Sequence, residues 1–233
     1  MLPTEYISLA YQRLVSYESP SGGFEWFGDD PGHRILTAYG LLGFTDMAEV
    51  FPVDPAVIDR TRTWLVSQQE ADGRWKAAPE GIHERATNNF QGSGVRATAY
   101  IKYALLSSGD TGAATMTGVD WVRSNMAEIE DPYSLGLVAN MFLTADRNDA
   151  DGGRGRGRLE DMEMSKETDS VTVSWWESGS NSLYYGTGQG MPMETTAFVV
   201  QAVILAGSYP NTIDGVVGYL IQNKGEFSQF SST

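Results

Sequence analysis

Cysteine is absent from the 233 residues. That excludes disulfides, cysteine-ligated zinc and a cysteine nucleophile within this chain, and it leaves the redox compartment open. Histidine is nearly absent: His33 and His83 are the only two. Basic residues are few, 16 Lys plus Arg against 30 Asp plus Glu, for a net charge of −14. An acidic chain repels phosphate backbones and anionic headgroups, so neither nucleic acid nor an anionic membrane surface is an expected partner. Long apolar runs are missing too. The longest, "TAFVVQAVILAG" from Thr196 to Gly207, falls short of the roughly 20 residues that a membrane span needs. It reads as a buried helix. The opening "MLPTEYISLAYQRL" is amphipathic and carries Glu5, unlike a secretory signal. Both ends read as cut from something longer.

What is present is enough apolar residue, 41% of the chain, to bury a sizeable core, and an internal repeat. "LTAYGLL" starts at Leu36, "ATAYIKYALL" at Ala97 and "TTAFVVQAVIL" at Thr195. Each is Thr-Ala-aromatic followed by an apolar run. "YSLGLVANMFL" from Tyr133 has the same character without the phrase. Thr37, Thr98, Ser134 and Thr196 are 61, 36 and 62 residues apart, a step of roughly 50 residues that suits a helical hairpin plus loops. These runs are apolar nearly all round and predict helices buried on every side.

Between them lie one-sided patterns at the 3.6-residue period: 4–17, 55–69, 114–129 and 212–224. Buried helices alternating with half-exposed ones describe two concentric layers. The expected fold is all-α, an incomplete α/α toroid of alternating inner and outer helices, over a single domain spanning 1–233. A simple helical solenoid is the competing arrangement. Gly-aromatic turns in "SPSGGFEWFG", "EADGRWKAAP" and "QNKGEFSQF" mark the ends of outer helices. They predict that the aromatic loops gather at one end, with the N termini of the inner helices. The stretch 146–174 is Gly-rich and then charged, and it reads as a long loop with one short helix near 159–166.

Several residues at that end could do chemistry. Asp29 and Asp30, before Pro31, could be a general acid/base pair or acidic turn residues near a helix N terminus. Glu194 has the same two readings. Trp26, Trp75, Trp175 and Trp176 could stack on sugars or anchor packed loops, and the packed reading is the simpler. "DRNDADG" suggests a calcium loop, but counting from Asp146 the fifth position is Ala150 and the sixth is Asp151 rather than Gly, so the spacing fails. Arg154, Arg156 and Arg158 read as a solvated basic run. His83 and its neighbour Glu84, in "APEGIHERATNNF", sit in a loop that composition alone leaves unassigned.

In order along the chain, "AYQRLVSYESPSGGFEWFG", "RILTAYGLLGF", "TRTWLVSQQEADGRW", "VSWWE", "METTAFVVQAVI" and "GEFSQFSST" resemble the thioester-containing domain of the α2-macroglobulin and complement proteins. The resemblance implies an α/α toroid of six helical hairpins, of which this chain supplies about four and the start of another. It implies a piece of a larger multidomain defence protein that traps proteases or tags surfaces covalently. The expected partners are the other domains of that protein and target proteases or surfaces. The expected location is extracellular, periplasmic or cell-surface, with no cofactor. The family's thioester joins Cys and Gln of a Cys-Gly-Glu-Gln motif, which lies N-terminal to the matched region and is not in this chain. In the complement branch a His in a loop similar to that of His83 attacks the thioester carbonyl. The resemblance therefore implies an acyl-transfer imidazole at His83, where a neutral imidazole is a competent nucleophile and, once acylated, a good leaving group. The candidate mouth surface comprises Asp29, Asp30, Trp75, Glu84, Trp176, Glu177 and Glu194.

Two rivals share the architecture. One is a carbohydrate-active enzyme using carboxylates among Asp29, Asp30, Glu177 and Glu194 beside Trp platforms, because fold does not fix function. The other is a purely structural spacer. No Asp-x-Asp-Asp motif supports a terpenoid cyclase, and the zinc of a prenyltransferase needs the missing Cys.

Overall fold

The computed structural model describes residues 3–75, 94–127, 129–167, 172–179, 190–207 and 210–223. Its helices are α1 (Pro3–Val15), α2 (Arg34–Ala48), α3 (Pro55–Ser67), α4 (Gly94–Ser107), α5 (Ala113–Asn125), α6 (Pro132–Ala145), α7 (Ala150–Asp161), α8 (Gly190–Leu205) and α9 (Pro210–Gln222). A two-stranded antiparallel hairpin, β1 (Met164–Glu167) and β2 (Thr172–Trp175), pairs Met164 with Trp175 and Glu167 with Thr172. Among the described residues no helix is long and apolar enough to cross a membrane.

The all-α reading holds, with that hairpin added to it among the described residues. α2, α4, α6 and α8 are the inner helices, and they pack side by side in chain order. α3, α5, α7 and α9 back them, each against the inner helix of its own hairpin. α1 adds Tyr11, Leu14 and Val15 to a cluster with Phe24, Phe44 and Val57, and Tyr11 meets Phe44 edge-on at 6.1 Å. Starts follow sequence signals. Asp54 and Asp131 each precede a proline, and each carboxylate accepts a first-turn backbone N–H, from Ala56 at 2.9 Å and from Ser134 at 3.0 Å.

Burial on every side is true of the middle of the row and not of its edges. All residues from Tyr133 to Leu143 in α6 are buried, as is most of α4 from Ala97 to Leu106. α2 and α8 end the row, and Tyr39 and Ile204 are 55% and 54% exposed. The same apolar composition is covered where an inner helix has inner neighbours on both sides.

The Gly-rich stretch corrects the sequence reading. Residues 150–161 form a full outer helix rather than a loop, and the chain is already in a strand at Met164 rather than in a helix. Asp149 caps α7 by accepting the N–H groups of Asp151 and Gly152. Gly152, Gly155 and Leu159 are buried on one face. A Cβ at Gly152 would lie 2.9 Å from Leu143 Cγ, and one at Gly155 would lie 3.5 Å from Ala139 Cβ. The glycines are therefore where α7 closes on α6. The three arginines are engaged, not merely solvated: Arg154 pairs with Asp151, Arg156 with Glu160, and Arg158 donates to Ile129 O.

Candidate functional site: the mouth of the inner helices

The repeated threonine explains where the aromatic loops sit. The Phe24 backbone N–H donates to Thr37 Oγ1 at 2.7 Å, that of Trp75 to Thr98 Oγ1 at 3.1 Å, and that of Trp176 to Thr196 Oγ1 at 3.0 Å. All three threonines lie in the N-terminal halves of inner helices, so three aromatic loops are pinned to one end of the row. Two of the aromatics are also tied to the preceding outer helix: Trp75 Nε1 donates to Leu65 O at 3.0 Å, and Trp176 Nε1 to Leu159 O at 2.7 Å. Both indoles are completely buried. They are loop anchors and offer no face to a ligand, which removes them from the candidate surface. The aromatic after each Thr-Ala turns inward in the later repeats. Phe198 meets Tyr100 edge-on at 6.4 Å and Tyr133 at 5.5 Å.

Around these anchors a polar network joins three inner-helix starts. Asp131, the cap of α6, accepts Arg96 Nη2 at 2.9 Å and Ser178 Oγ at 3.1 Å. Arg96 Nε also donates to Ser134 Oγ, and its guanidinium lies 5.9 Å from the Tyr133 ring centre. The Tyr133 hydroxyl donates to Glu194 Oε1 at 2.7 Å. α4, α6, α8 and the segment after β2 are thus linked through side chains that are largely screened from water. Arg96 and Asp131 escaped the sequence reading. The signal was there: "DPYS" is a capping sequence, and Arg96 stands two residues before the repeated threonine.

The remaining candidates are dispersed. Asp29 and Asp30 are exposed in the α1–α2 loop. Asp30 accepts the hydroxyl and N–H of Ser21, and these bonds hold its carboxyl below the usual carboxylate range. The α2 cap is instead His33, whose Nδ1 accepts the Leu36 N–H at 3.3 Å. Glu177 accepts Trp175 Nε1 at 3.0 Å, and Trp175 stacks on Tyr219 at 5.4 Å. Glu194 lies beyond the first turn of α8, so its place answers to Tyr133 rather than to the helix start. His83 and Glu84 lie outside the described residues.

Lys102 was also missed. It is a lone charge in the apolar run "ATAYIKYALL", and it is completely buried between α4 and α5. Nζ donates to Ala114 O at 2.8 Å and stands 4.2 Å from the Trp75 ring centre. Burial pushes its amine down to about 7, with Asp110 opposing.

With this geometry in place, a profile of the A-macroglobulin TED domain family matches residues 3–233. Thioester-containing protein 1 of Anopheles gambiae, allele R1, is 22% identical over 99% of this chain. Alleles S1 and S3 are 21% and 20% identical over the same share. The chain spans 16% of the length of each of these relatives.

Proposed function

This chain belongs to the A-macroglobulin TED domain family, and on that premise we propose that it is the thioester-domain segment of a larger extracellular, periplasmic or cell-surface defence protein. That protein captures targets covalently, by trapping proteases or tagging surfaces. The observation that carries the reading is the family match over 3–233, joined to an inner-helix mouth at which three aromatic loops are pinned by threonines. The chain has no Cys, so any thioester of that protein uses a Cys outside this chain, and a protein without one keeps the segment as a structural module.

His83 is assigned the acyl-transfer role. Its neutral imidazole attacks the thioester carbonyl, the C–S bond breaks, and the thiolate leaves with the electron pair. The acyl-imidazole then accepts a target hydroxyl, whose proton goes to the thiolate, and the imidazole is released as an ester forms. Amines are stronger nucleophiles and react with the thioester directly, so His83 governs which nucleophile wins.

The test uses the full-length protein that contains this segment. A Cys-Gly-Glu-Gln sequence upstream, a covalent methylamine adduct at its Gln, and loss of glycerol transfer in His83→Ala with methylamine uptake retained are the expected results. Absence of the motif or of any adduct would reduce the segment to a structural module. A glycan-active reading needs two carboxylates on one cleft. Asp30, Glu177 and Glu194 are instead held by Ser21, Trp175 and Tyr133 on separate elements.

A further inference from the structure

Lys102 lies at a joint where three pieces of chain come together. Its amine donates to Ala114 O in the first turn of α5 and faces the Trp75 ring from α4. Gln69 Nε2 reaches the same carbonyl at 2.9 Å and Gly73 O at 2.7 Å. The fit is close. A Cβ at Gly118 would collide with Lys102 Cε and lie 2.6 Å from Gly73 O, and one at Gly73, where φ is +95°, would lie 2.7 Å from Thr117 O. Nothing larger than glycine could stand at either position with the joint closed.

An ammonium has three donors and accepts nothing. The described contacts give it one carbonyl and one aromatic face, which is poor compensation for complete burial. The surrounding charges are otherwise engaged. Asp110 in the α4–α5 turn acts on it but spends its oxygens on Gly112 N–H and Thr115 Oγ. In the loop, Asp72 pairs with Arg74 at 3.2 Å, and Glu70 acts on Arg34. On α3, Arg62 holds Asp59 and Ser108. On α5, Arg123 holds Asp149 and Asp151, and Asp120 is exposed. A neutral amine keeps its bond to Ala114 O without the cost of a buried charge.

We propose that Lys102 is a proton-operated joint: when its amine takes up a proton, the loop of residues 70–75 opens from α4 and α5 so that water can reach the ammonium. The proposal concerns this chain alone and is independent of the thioester reading.

The test is backbone hydrogen exchange of residues 69–75 in the intact chain, corrected for the intrinsic pH dependence of exchange. The amine has its ordinary value of 10.5 in the open loop and about 7 in the closed one. Linkage then gives roughly tenfold more opening at pH 6 than at pH 8. Lys102→Met should abolish that difference. Equal protection at the two pH values in the unaltered chain, or a difference that survives Lys102→Met, overturns the proposal. Should Lys102→Met fail to fold, NMR titration of lysine-labelled unaltered chain decides. A buried lysine titrating near neutrality supports the joint, and titration of every lysine near the ordinary value overturns it.

Discussion

The Trp75 backbone N–H and the Thr98 hydroxyl oxygen lie 3.1 Å apart, and Trp176 and Thr196 repeat the relationship at 3.0 Å. In both pairs the N–H is in a loop with no ladder to join, so the threonine is its acceptor from outside the loop. Both threonines are completely buried.

Thr98→Val and Thr196→Val keep the shape and remove the acceptor. Each should cost about 1–3 kcal/mol, because a buried N–H loses its partner. Thr98→Ser and Thr196→Ser should recover most of the loss. Urea denaturation of the four variants checks this. Valine variants as stable as the parent would show that the hydroxyl is not the acceptor that matters.

The glycines of α7 separate packing from propensity. A Cβ added at Gly153 would meet nothing within 4 Å, whereas one at Gly152 would face Leu143 Cγ at 2.9 Å and Phe142 Cβ at 3.2 Å. Gly153→Ala should stabilise by about 0.5–1 kcal/mol, the usual gain in a helix interior. Gly152→Ala should destabilise by about 1–3 kcal/mol through overpacking against α6. Thermal melts of the two single variants give opposite shifts if α7 packs on α6 through the Gly152 face.

How much of this was legible in the sequence varied with the source of the signal. The Thr-Ala-aromatic phrase located three of the four inner helices, because its threonine accepts the N–H of the loop that precedes each helix. Residues 150–161 were read wrongly. Four glycines in twelve residues argue against helix by propensity, and what favours the helix is a surface on α6 that no local pattern encodes. The mouth network was legible only in part. "DPYS" announces a cap, but pairing Arg96 with Asp131 needs two helices side by side. Lys102 is one charge in an apolar run, a signal that went unread, and only packing makes it a buried amine.

His33 gives the fold a dependence on acidity. Burial is the largest influence holding its imidazole below the ordinary 6.5; Arg34 adds to it and Glu25 opposes. The folded state therefore favours the neutral ring, whose Nδ1 caps α2. The unfolded chain binds more protons in this range, so stability rises with pH. The contribution of His33 is complete above about pH 6.5 and is lost as pH falls through the lower folded value. His33→Asn keeps a capping acceptor without the titration. Between pH 7.5 and 5 its melting temperature should fall less than that of the parent. Parallel curves would assign the acid sensitivity to other groups.

Arg96 and Asp131 make unequal contributions to the mouth. Asp131 caps α6, receives Arg96 and accepts from Ser178, so Asp131→Ala removes three bonds from one place. Arg96→Met keeps the length of the side chain and leaves the cap and the Ser178 bond intact. The first substitution should cost about 2–4 kcal/mol and the second about 1–2 kcal/mol, since the pair is partly screened from water and hydrogen-bonded. If the two act as one unit, the double variant should be less unstable than the sum of the singles by about 1 kcal/mol or more. Strict additivity in denaturant melts would mean that Arg96 and Asp131 are neighbours without coupling. The start of α4 would then rest on its loop threonine, Thr98, and that of α6 on the Asp131 cap, each independently of the other.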